Sequence, residues 1–189
     1  MKFVRFISGT CVILLCSSAT VPSPHAAGSG SASKVTPLIL EKNEGERRVR
    51  TSFGNRPTPV VLKVDPKNGG SQHLVLGTEE LPPGAAIPTH KHPNADEILF
   101  LQNGSGRVHL GESVREAHAG ATVFIPKNTW ISVENIGSEP ISLIFIFSEP
   151  GFDDYIRATS VREGEKFVPL SKAELDKIRK KHLHAAVYK

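Results

Sequence analysis

The chain predicts an all-β fold, an antiparallel barrel or jelly-roll-like sandwich followed by a short C-terminal helix. Short apolar or alternating runs recur along its middle at intervals of roughly 8–12 residues, the spacing of strands in a barrel or sandwich. Nearly every run ends in Gly, Pro, Asn or Asp, the residues that reverse a chain. The 189 residues, 39% hydrophobic and 22% charged, suit one core that needs no disulfide staples. They exclude collagen-like, coiled-coil and multi-pass membrane classes. The charge of +4, spread along the chain, gives no basis for a nucleic-acid partner.

Taken in order, residues 1–27 read as a secretory signal peptide. Lys2 and Arg5 precede an apolar stretch over 6–19, and Ala19 and Ala27 follow small residues suited to cleavage. The stretch is shorter than the roughly 20 residues of a spanning helix, so no stable membrane insertion is expected after cleavage. Both cysteines, Cys11 and Cys16, lie in this leader. Cleavage after Ala27 removes Lys2, Arg5 and no acid, which lowers the charge to +2. The exported chain, periplasmic or extracellular, then has no disulfide, thiolate nucleophile or Cys-ligated zinc.

Residues 28–56 have no clean period and read as an N-terminal arm or edge segment. Residues 57–150 carry the strands, at 60–64, 72–76 (ending before Gly77), 98–101, 107–110, 122–125, 130–133 and 141–147. Residues 151–189 form a C-terminal extension. In it Ser171-Lys172-Ala173-Glu174 is a capping box, and Leu175, Ile178 and Leu183 make a thin apolar stripe on a basic surface helix.

The residues with metal-binding chemistry lie between Gly84 and Gly104. His90 and His92 are two apart, so on a strand both imidazoles face one side. Pro93-Asn94-Ala95-Asp96 reverses the chain, and Glu97 opens the next strand. Leu99 and Leu101 share its parity, so Glu97 faces an apolar interior, where a buried carboxylate needs a partner. A divalent transition metal (Fe, Mn, Ni, Cu or Zn) would be one, and a His–Glu hydrogen-bonded cluster another. His73, His109 and His118, the last in a turn over 116–120, read as structural or solvated, and His182 and His184 as tail residues that do not converge. No nucleophile elbow, P-loop or dinucleotide fingerprint is present.

This segment resembles the first motif of the cupin superfamily. Five residues separate Gly84 from His90, four separate His92 from Glu97, and six separate Glu97 from Gly104. Gly120, Pro126 and Asn135 match the second motif. Asn128 stands for its turn glycine, a mild change because Asn tolerates left-handed backbone. Ile131 stands where the family has a fourth ligand, a histidine. The resemblance implies a cupin-type antiparallel β-barrel, often a homodimer, with one divalent metal on His90, His92 and Glu97. By parity, Ile131 and Val133 face inward and, with Leu99, give the pocket an apolar side.

Two function classes fit these residues. One is an exported metal-dependent enzyme, a dioxygenase-like or isomerase cupin acting on a small molecule. The other is a non-catalytic small-ligand-binding cupin with a degenerate metal site. The intact first motif favours the former and Ile131 the latter.

Overall fold

The computed structural model describes residues 34–50 and 57–189. The signal-peptide reading falls on residues 1–27, outside the described residues.

Two sheets form a jelly-roll sandwich. The larger has seven strands in the order β11 (Ser160–Arg162), β1 (Glu46–Arg50), β2 (Thr58–Val64), β3 (Val75–Leu81), β10 (Ile141–Phe147), β5 (Glu97–Asn103) and β8 (Thr122–Ile125). The smaller has five, in the order β12 (Val187–Tyr188), β4 (Ala86–Lys91), β9 (Ile131–Glu134), β6 (Ser105–Leu110) and β7 (Ser113–His118). Every pair of neighbouring strands in these sheets is antiparallel. Two helices, α1 (Phe152–Ala158) and α2 (Lys172–Lys181), belong to the C-terminal extension. No helix of the described residues is long and apolar enough to cross a membrane.

Alternation puts one side of each central strand in the core. On β10, Ile141, Leu143, Phe145 and Phe147 are buried, and on β3 so are Val75, Gly77, Glu79 and Leu81. The smaller sheet contributes Ile131 and Val133 of β9 and Val108 of β6.

Three local readings are corrected. The strand expected over 72–76 is β3, which begins at Val75 and runs through Gly77 to Leu81. Gly77 is there because a Cβ would lie 2.3 Å from Phe145 Cζ and 2.6 Å from the Val61 carbonyl oxygen. His118, read as part of a turn, ends β7 and pairs with Ser105. Leu183 is 52% exposed and leaves the apolar stripe, whereas Ile178 packs on the core.

The segment read as an arm contributes β1, which lies between β2 and β11. An ion-pair network anchors α1 beside it. Arg157 bonds Glu46 of β1 at 2.8 Å, the fully buried Asp65 at 2.6 Å and Asp153 at 2.7 Å. At α2, the Ser171 hydroxyl accepts the Glu174 N–H, while the Glu174 carboxylate accepts the Ser171 N–H at 2.8 Å, closing the expected capping box.

Candidate metal centre

His90, His92 and Glu97 converge. Their ligand atoms all lie within 4.8 Å of one another, and all three residues are buried. It is the one such His/Cys/Asp/Glu group among the described residues. β4 presents His90, with an irregularity in its pairing to β9 between Ile87 and His90. His92 follows the end of β4, and its imidazole lies perpendicular to that of His90 with centroids 4.8 Å apart. Glu97 opens β5, opposite Phe147 and Ile125. The turn around Asn128 holds His92 from behind. Asn128 has φ 65°, as its place in the motif required, and its N–H donates to the His92 carbonyl at 2.8 Å.

The hydrogen bonds define the state of each imidazole. His90 Nδ1 lies 2.8 Å from the Pro88 carbonyl, and His92 Nδ1 2.8 Å from the Ala185 carbonyl. A carbonyl only accepts, so each Nδ1 carries the proton and the neutral ring keeps its Nε2 lone pair. Burial, then the neighbouring His92, pushes the His90 pKa down to about 3, so His90 is neutral near pH 7.

His92 Nε2 lies 3.3 Å from Glu97 Oε2, and neither atom has a hydrogen-bond partner among the described residues. Two buried acceptors this close repel unless a proton or a cation sits between them. A proton would satisfy only that pair. A metal ion would satisfy all three donors, and two imidazoles held through Nδ1–H to carbonyls with one carboxylate make a suitable set. The residues therefore fit the divalent ion expected from the sequence.

A small enclosed cavity adjoins His90 and Glu97. Its volume is ≈ 20 Å³, room for about one water. Ile131, Leu99 and Val133 all line it. Ile131 is the register partner of His90 and is 1% exposed, so an apolar side chain occupies the position of the family's fourth ligand.

The sequence reading missed four contributors. Arg50 and Glu79 also line the cavity and form a buried ion pair at 3.5 Å. Burial raises the Glu79 pKa, Arg50 opposes this, and Glu97 adds to it. The alternation of Val75, Gly77 and Leu81 could have revealed Glu79 as inward-facing. Phe152 of α1 packs edge-on to His92 with centroids 4.7 Å apart, and Tyr188 of β12 stacks on His90 at 5.3 Å. These two come from the extension, where no sequence pattern links them to the barrel. Among the described residues, the other histidines stay apart from the centre. His73 and His118 are exposed, His109 lies 3.9 Å from Glu134, and His182 packs on Tyr155.

Comparison with known proteins agrees with this architecture. Residues 77–147 match the family described as the cupin domain. These residues form a cupin domain. A predicted oxalate decarboxylase of Thermotoga maritima superposes on this cupin with a TM-score of 0.54 at 18% identity, over all of that chain and 60% of this one. That likeness concerns the fold alone. The Bacillus subtilis protein YrkC is 29% identical over 138 residues, 60% of this chain and 74% of its own. The tetracenomycin polyketide synthase protein TcmJ of Streptomyces glaucescens is 34% identical over 86 residues, 45% of this chain. The cupin spans just over half of TcmJ, 57% of its length.

Proposed function

We propose that this cupin is an exported, metal-dependent enzyme of the oxygenase or isomerase class acting on a small organic molecule. The observation that carries the reading is the buried, unpartnered approach of His92 Nε2 to Glu97 Oε2, with His90 beside them. A metal held by these residues would act as a Lewis acid toward a bound oxygen atom and, for a redox-active ion, as a one-electron centre. With three protein ligands it keeps positions open for water or substrate.

The chain's own residues hold the imidazoles in one tautomer and exclude bulk water. Ile131, Leu99 and Val133 give the site a dry wall. The Arg50–Glu79 pair introduces charge on the cavity surface. The similarity to a polyketide synthase protein supports a small organic molecule as substrate class. Export and assembly as a homodimer belong to the same proposal. N-terminal sequencing of protein from its native host tests the former, with a start between about residues 20 and 28 expected. Light scattering tests the latter.

A second reading, a non-catalytic binding cupin, is favoured by Ile131 and by a cavity that admits about one water. The deciding experiment uses untagged protein. Its metal content is measured, and the metal-loaded form is assayed for oxygen uptake and isomerisation against small phenols and hydroxy acids. One ion per chain and turnover lost in His90→Ala support the enzyme. Bound metal and ligand without turnover support the binding protein, and absence of metal contradicts both metal-containing forms.

A further inference from the structure

The segment 185–189 touches the metal centre at two of its three side chains. The Ala185 carbonyl accepts the hydrogen bond from His92 Nδ1 at 2.8 Å, which fixes the ring's orientation and tautomer. Tyr188 is the register partner of His90, and its ring stacks on that imidazole at 5.3 Å with an interplanar angle of 18°. Around these contacts the segment is docked firmly. Ala185 and Ala186 are buried, Val187 pairs with Lys91, and the Lys189 N–H donates to the Thr89 carbonyl at 3.1 Å. The Arg179 guanidinium lies over the Tyr188 ring at 4.3 Å, and Lys189 Nζ lies 4.9 Å from the ring of Trp130.

We propose that residues 185–189 are a strap whose docking is coupled to metal binding, with the Ala185 carbonyl as a positioning group for His92. The inference rests on the metal reading of His90, His92 and Glu97. When the strap leaves, His92 loses the acceptor that holds Nδ1 protonated, and its ring is free to rotate or to move its proton onto Nε2. Ligand preorganisation is lost at His92, and the aromatic cover of His90 goes with it. The reverse effect follows by linkage. An ion that fixes both imidazoles also fixes the surface on which the strap docks.

Trp130 is the chain's one tryptophan, so its emission reports on the Lys189 end of the strap. The test compares the wild type with a chain ending at His184 and with full-length Tyr188→Ala, each checked for cooperative melting. Zn²⁺ is titrated by calorimetry, and hydrogen exchange of the C-terminal peptide is followed with and without Zn²⁺. Loss of a partner that orients a metal-ligating histidine costs 10–100-fold in affinity. The chain ending at His184 should therefore bind Zn²⁺ roughly tenfold or more weakly with altered Trp130 emission, and Tyr188→Ala should bind it more weakly than the wild type. Zn²⁺ should slow exchange of the wild-type C-terminal peptide by a similar factor. If the wild type binds Zn²⁺ but folded variants bind it equally well and exchange is unchanged, the coupling is wrong and the metal site stands. If the wild type binds no Zn²⁺, the metal reading fails, and the coupling fails with it.

Discussion

Ile131 faces His90 across the β4–β9 pair and lines the cavity beside Glu97. An imidazole at this position would point at the same centre. Ile131→His should therefore raise affinity for at least one of Mn, Fe, Ni and Zn about tenfold (~1.4 kcal/mol), measured by calorimetry on folded protein. Ile131→Val should cost only ~0.5–1.5 kcal/mol in denaturant unfolding. No gain for any metal with histidine would count against convergence at this point. The three first-motif residues were legible because strand parity and one turn suffice to bring them together. Arg50 was not, because its inward position depends on β1 joining the sheet, and the charged run around it carries no apolar period.

Among the elements, β3 shows how a tertiary contact overrides a local signal. Gly77 reads as a strand breaker, yet the strand continues through it because the Phe145 ring fills the space a side chain would take. Gly77→Ala should destabilise the fold by about 1–3 kcal/mol through overpacking, read as a lower denaturant midpoint with unchanged slope. A neutral result would mean that Phe145 moves aside at little cost. Strand β7 escaped notice for the opposite reason. Five of its six residues are exposed, so it presents no apolar alternation. Helix α2 was recognisable because a capping box is local chemistry. The attachment of α1 was not, because Arg157 meets Glu46 and Asp65 from distant parts of the chain.

That attachment should weaken in acid. Burial alone would raise the Glu46 pKa, but hydrogen bonds from Arg157 and Arg48 outweigh it and hold the carboxyl below its ordinary 4.5. The folded value is the lower one, so Glu46 contributes its full stability above pH 4.5 and loses it as pH falls through the folded value. Wild type and Glu46→Gln should differ in melting temperature near neutral pH and converge on acidification below 4.5. A difference that stays constant into acid would contradict the ionic account. Arg157→Met, which leaves Asp65 and Asp153 buried without their cation, should cost about 3–5 kcal/mol.

For the whole molecule, the barrel supplies the three side chains that could hold a metal ion, and the extension adds Ala185 and Tyr188 beside them. A metal that binds only the folded chain stabilises it by about 2.7 kcal/mol at a hundredfold excess over its Kd. For a chain of this length that is a rise in Tm of roughly 5–10 °C, and His92→Ala should abolish it. The most direct test locates the ion itself, by anomalous diffraction from metal-loaded crystals. One ion is expected at roughly 2.0–2.2 Å from Nε2 of His90, Nε2 of His92 and a Glu97 carboxylate oxygen. An ion bound elsewhere with these three side chains unligated, or none in crystals grown with excess metal, would contradict this assignment.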